Sequence, residues 1–250
     1  MLKRLNIESK QLEDVPICKS PTIMIEQENM QTDIADQLLQ LKIFGDTALT
    51  YYPAKINEYL FDKYGPELYN NILDLDDSCT LTDVLKNHNI SPDIRTKMID
   101  WMVEVLWSYT AEPSTFFLAT HIMDLFLSLT SEFNNKDIHL IGIVCIYIAS
   151  KMEDIIPLRM HNVVKSVGHN KFSESVIKTA QAHILKTIDY NIIATSSYDF
   201  IKSFFYDCFY NNGKEFQSLP DMNTILDQLE YTSIYFAKLI THSVEFSLIR

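Results

Sequence analysis

From residue 51 onward, apolar side chains recur at steps of three and four, segment after segment, which is the period of a helix and not of a strand. The clearest case is Ile94, Met98, Trp101, Met102, Val105, Leu106 and Tyr109, which line one helix face. A start signal stands just before them. Ser91 can cap, Pro92 suits the first helical position, and Asp93 complements the positive helix end. Only five of the 250 residues are glycine, which disfavours folds rich in hairpins or phosphate-binding loops. The fold class expected is all-α.

The remaining segments fit that expectation. Tyr52, Ile56, Tyr59, Leu60 and Tyr64 form an earlier stripe, which Gly65-Pro66 is expected to end, and Asp74 to Thr82 reads as an acidic loop. Pro113-Ser114-Thr115 opens a segment that is apolar almost all round, through Phe116 to Leu127, as a buried helix would be. The run Leu140 to Ala149 has the β-branched content of a buried strand, but it continues into helix-compatible Ser150 to Glu153 and has no sheet partner nearby. It reads as a buried central helix. Ten apolar residues are too few to span a bilayer. Pro157 breaks the pattern, Asn162 to Val167 forms a short helix closed by Gly168, and Ser173 caps another with Val176, Ile177, Ala180, Ile184, Leu185 and Ile188 inside.

The ends differ in character. Residues 1–50 are polar and weakly patterned and read as a flexible arm. Within them Ile34 to Phe44 can form a short helix, and Ser20-Pro21 is a candidate site for a proline-directed kinase. After Ile192 the helical theme restarts with Ile201, Phe204, Phe205, Cys208 and Phe209. It continues with Ile225, Leu226, Leu229, Tyr235, Phe236, Leu239 and Ile240. A second bundle like the first needs more chain than 193–250 supplies, so this part reads as an incomplete one.

Charge and chemistry narrow the function. A net charge of -12 and no clustered Lys/Arg face argue against nucleic acid as a partner. The N-terminus lacks a secretory signal, and four well-separated cysteines (Cys18, Cys79, Cys145, Cys208) suit reduced thiols in a cytosolic or nuclear protein. GxxxxGK[ST], GxGxxG, GxSxG and HExxH are all missing, and the seven histidines are scattered, so neither a metal nor a cofactor is expected. Glu153 and Asp154 are adjacent and point apart, which does not suit acid–base catalysis. The sequence points to a binding module, not an enzyme.

Three segments, in order and in register, resemble the cyclin box. Ile94-Arg-Thr-Lys-Met-Ile-Asp-Trp-Met-Val-Glu-Val105 is similar to the cyclin pattern Met-Arg-Ala-Ile-Leu-Val-Asp-Trp-Leu-Val-Glu-Val. Thr115-Phe-Phe-Leu-Ala-Thr-His-Ile-Met-Asp-Leu-Phe-Leu-Ser128 resembles TLxLAVNxIDRFLS. Leu140 to Asp154 resembles LQLVGxxxLxIASKYEE, and Ile184 to Ile192 carries a weaker match to ILxxLxFxL. Among cyclins the likeness is to the mitotic, B-type and A-type groups. It implies a five-helix bundle with a preceding helix over 51–192 and a partial second cyclin fold over 193–250.

The resemblance also implies roles. Arg95 and Asp124 match a buried salt bridge between the first two helices. Lys151, an odd charge at the end of an apolar run, matches a lysine that contacts the mobile C-helix of a cyclin-dependent protein kinase, with Glu153, Asp154 and Gln181 at the same edge. Gln181 replaces a glutamate and brings no charge. Ile94, Met98, Trp101, Glu104 and His139 match a patch that docks kinase substrates or inhibitors. Lys97 interrupts that patch, which puts docking of Arg-x-Leu peptides in doubt, and Leu125 replaces the usual Arg after Asp124. The implied function is a regulatory subunit that binds and activates the kinase as a heterodimer in nucleus and cytoplasm, with no membrane contact. The alternative is a cyclin-fold adaptor, or a truncated cyclin, that binds a partner without activating a kinase.

Overall fold

The computed structural model describes residues 64–65, 67–76, 84–210 and 222–247, all within the unit 57–250. The arm over 1–50 and most of the 52–64 stripe lie outside them. Helix 67–76 comes first. It is followed by α1 (Pro92–Ser108), α2 (Pro113–Ser128), α3 (Ile138–Glu153), α4 (Met160–Asn162, running on as a π-helical turn over Val163–Val167) and α5 (Glu174–Thr187). Then come α6 (Ser197–Tyr210), α7 (Met222–Thr241) and the short α8 (Val244–Ser247). Among the described residues the β-structure is a single isolated bridge, Asn89 to Asn134.

The run that was ambiguous between strand and helix is α3, at the centre of the bundle. Ile141 to Ser150 are buried without a break, and α1, α2, α5 and the π-helical turn pack around them. An apolar surface on every side leaves such a helix no stable place except the middle. Gly142 lets α1 approach closely, because a Cβ there would meet Met98 Cε at 2.7 Å and Met102 Cε at 3.3 Å. α2 lies alongside with Phe116, Ile122, Met123, Phe126 and Leu127 in the core.

One ion pair ties this core together. Arg95 is fully buried on α1. Its Nε donates to Asp124 Oδ1 at 2.9 Å and its Nη2 to Asp124 Oδ2 at 2.5 Å. Its Nη1 donates to the carbonyls of Thr241 (3.1 Å) and His242 (3.3 Å), at the end of α7. Thr96 Oγ1 also donates to the His242 carbonyl, and His242 Nε2 lies 2.8 Å from Asp100 Oδ1. The close of the C-terminal helix is thereby held on α1.

Several boundaries differ from the sequence expectation. Tyr64 and Gly65 are helical, and so are residues 67–76, so helix lies on both sides of Pro66 and covers 74–76 of the expected acidic loop. Proline needs no N–H in a first turn and can open a helix as readily as close one. Ser91 is the N-cap of α1 but its side chain makes no capping bond, whereas Ser173 Oγ accepts from Val176 N–H at 3.4 Å. Gly168 has φ −87°, so it does not end the turn by a left-handed conformation. His169 and Asn170 adopt positive φ instead, and Gly168 is needed for space, since a Cβ there would lie 3.0 Å from the Val163 carbonyl oxygen.

The C-terminal stripe faces outward. On α7, Ala237 is buried and Ser233 and Ile234 are half-buried, while Ile225, Leu229, Tyr235, Phe236, Leu239 and Ile240 are exposed, as is Phe204 on α6. α7 packs against α2 and α6, and its bulky face is exposed.

Replacing Asp124 by Asn leaves the Arg95 charge buried without its counter-ion, and we expect a loss of roughly 3–5 kcal/mol in urea unfolding. The double variant Arg95→Met with Asp124→Leu should lose less than Asp124→Asn alone, because no orphan charge remains.

Candidate functional site

At the C-terminal end of α3 the buried run gives way to charge. Lys151 is exposed, and its Nζ sits 3.8 Å above the ring of Tyr147 one turn earlier, a cation–π contact that holds the ammonium at the helix end. Among the described residues no carboxylate forms a salt bridge with it. Glu153 is exposed beside it. On the adjacent helix α5, Gln181 is half-buried, and Lys178 is paired with Glu174 at 2.6 Å.

Asp154 has an internal task. Its Oδ1 accepts the Glu112 backbone N–H at 2.9 Å and the Thr115 hydroxyl at 2.6 Å, so it satisfies the start of α2, whose own N-cap Glu112 makes no side-chain cap. Buried Ser150 does the same for the following loop, with its Oγ accepting Leu158 N–H at 2.9 Å. These three bonds hold the segment 154–158 against the bundle. The segment presents Ile155 (93% exposed) and Ile156 beside Met152. The result is an exposed apolar strip, tethered at both ends, next to the Lys151 ammonium. Sequence reasoning named Lys151 and Glu153 but missed Met152, Ile155 and Ile156. Their signal was an apolar pair placed directly after a helix end and before Pro157.

The second predicted patch comes together only in part. Trp101 and His139 meet edge to face with ring centres 5.0 Å apart, and His139 continues to Phe172 at 5.9 Å. Ile94 is half-buried and Glu104 exposed on α1. Met98 does not belong to the surface. It is buried against Gly142, where the close approach of α1 and α3 draws its thioether into the core. Lys97 is exposed on the same face of α1 as Trp101. Burial, reinforced by the positive charges of Lys171 and His169, pulls the His139 imidazole down to about 4.

No group of three or more His, Cys, Asp or Glu side chains suited to a metal ion occurs among the described residues. Burial pushes the Cys145 thiol well above its usual range, so it is no nucleophile. No helix among the described residues is long and apolar enough to cross a membrane.

The described residues thus form a helical bundle with an exposed apolar strip beside Lys151. Residues 67–193 match the family model "Cyclin, N-terminal domain". The chain belongs to the cyclin family. It is 35% identical over 97 residues to "G1/S-specific cyclin-E1" of Danio rerio, covering 38% of this chain and 24% of that protein. It is 39% identical over 71 residues to "Cyclin-A2-2" of Arabidopsis thaliana, covering 28% and 16%. Over 112 residues it is 32% identical to "G2/mitotic-specific cyclin cdc13" of Schizosaccharomyces pombe, covering 45% and 22%. The matches thus span a quarter or less of these relatives. A viral cyclin from herpesvirus saimiri shares the fold, with TM-score 0.58 and 19% identity over 74% of this chain and 75% of that one.

His139 carries a pH consequence. Its folded value lies below the ordinary value of 6.5, so between about 4 and 6.5 the unfolded chain binds more protons. Stability therefore falls as pH drops through that window. The urea midpoint should decline from pH 7 to pH 5, and His139→Phe should decline less.

Proposed function

We propose that this chain is the regulatory subunit of a cyclin-dependent protein kinase, binding it as a heterodimer and raising its activity in the control of cell division. The observation that carries this is the strip Met152, Ile155 and Ile156 beside Lys151, rigidly mounted by Ser150 and Asp154 and uncovered in the isolated chain. Such a surface fits an amphipathic helix of a partner, with the ammonium meeting carbonyl or carboxylate oxygens at one end. Asp154 contributes by shaping the loop, and Gln181 offers hydrogen bonds without charge.

The mechanism is a population shift. A stiff bundle that binds the active arrangement of the kinase better than the inactive one biases the kinase towards the state with its Lys–Glu pair formed. Catalytic groups belong to the kinase alone. The aromatic row Trp101, His139 and Phe172 is the candidate surface for substrates or inhibitors. Nucleus and cytoplasm are the compartments this role requires. Gln181, where cyclins carry a glutamate, favours a second reading in which the chain binds its partner without activating it.

Incubating the purified chain with cyclin-dependent kinases and measuring histone phosphorylation separates the readings. Stimulation should appear, and Lys151→Ala and Ile155→Glu should each reduce it at least tenfold without changing the helical circular dichroism. Binding without stimulation would establish the adaptor, and no binding by the folded chain would end the kinase reading.

A further inference from the structure

The aromatic row Trp101, His139 and Phe172 is flanked by positive charge, in a chain whose net charge is -12. Lys97 is exposed on α1, one turn before Trp101 and on the same face. His169 and Lys171 are exposed on the turn that leads to Phe172 and α5. That turn is pinned. Asn170 N–H donates to the Val164 carbonyl and Lys171 N–H to the Gly168 carbonyl, both at 2.9 Å. The two cations are thus carried on an ordered backbone, and their charge acts on His139 within the row.

Most nearby acids are engaged elsewhere. Asp100 Oδ1 lies 2.8 Å from His242 Nε2, Asp137 accepts the Asn134 N–H at 2.8 Å, and Glu174 is paired with Lys178 at 2.6 Å. Asp93 sits in the first turn of α1, where the positive helix end favours it. Glu104 lies one turn beyond Trp101 on α1. None of the salt bridges among the described residues includes Lys97 or Lys171.

We infer that this row docks a short segment of a partner protein in which an apolar side chain stands between carboxylates. The apolar side chain lies on the Trp101 and Phe172 rings. The carboxylates meet Lys97 on one side and Lys171 with His169 on the other. Charge selects this occupant. A basic segment would meet Lys97 and Lys171 with like charge, which costs affinity and slows encounter. A nucleic acid spreads its phosphates over a long surface and would meet the net negative charge of the chain, whereas a short acidic segment meets only the row. The inference rests on reading this row as a docking surface, and not on the kinase.

Fluorescence anisotropy of the full chain with short labelled peptides, and no kinase present, tests it. One peptide carries a Leu-Phe pair flanked by Asp and Glu, and the other has Lys in place of each acid. We expect the acidic peptide to bind about tenfold tighter than the basic one, and to weaken as salt is raised. Lys97→Glu combined with Lys171→Glu, both at exposed positions, should reverse that order while helical circular dichroism stays the same. Trp101→Ala should weaken both peptides, and the charge reversals decide the matter even if that variant disturbs folding. Equal binding of the two peptides, lost in Trp101→Ala, would overturn the inference and leave the row a docking surface. Tighter binding of the basic peptide, or an acidic preference that survives the double charge reversal, would also overturn it. Binding of neither peptide would overturn the inference and the docking reading together.

Discussion

Arg95 is the point on which the described structure turns. A guanidinium taken fully out of water must use its donors, and this one does so in two directions. Two bonds go to Asp124 and fix α2 on α1 with a bidentate geometry that permits little rotation. The other two go to the carbonyls of Thr241 and His242. Carbonyls at a helix C-terminus lack intrahelical partners, so Arg95 satisfies groups that would otherwise need water. A single side chain thus links the first bundle to the end of α7.

Around that link the geometry of the candidate surface follows from packing on α3. Gly142 admits Met98, which draws α1 onto α3 and sets the distance between them. Burial continues without a break to Ser150, and the first exposed residue of the helix end is Lys151. From there Asp154 reaches back to the start of α2 and Ser150 holds Leu158. The backbone on both sides of the apolar loop residues is tethered, at Asp154 and at Leu158. Exposure of Ile155 and Ile156 is therefore a consequence of the fold. A preformed surface of this kind binds without an ordering cost.

The two outward apolar surfaces differ in character. The Lys151 strip is short, carries a charge and sits at a helix end, features suited to another protein with a polar helix terminus. The α7 face is long, uncharged and regularly spaced.

Much of this was legible from the chain alone. Helical period, the Pro92 and Pro113 starts, the Ser173 cap and the sharp change from apolar to charged at Lys151 are local signals, encoded within a turn or two of the residues concerned, so α1, α2, α3 and α5 could be read directly. The cyclin segments told which of those helices belong together. Other features depended on residues far apart. Asp154 meets Glu112 across 42 positions, and Arg95 meets Thr241 across 146. Neither pairing leaves a trace in local pattern, so Asp154 was read as a surface group and the tether on α7 was not foreseen. Met98 and Ile225 make the same point in opposite directions. Each lies on an apolar stripe, yet one is core and the other surface. Period tells which residues share a face. Whether that face is covered depends on which other elements reach it, and only the tertiary structure decides that.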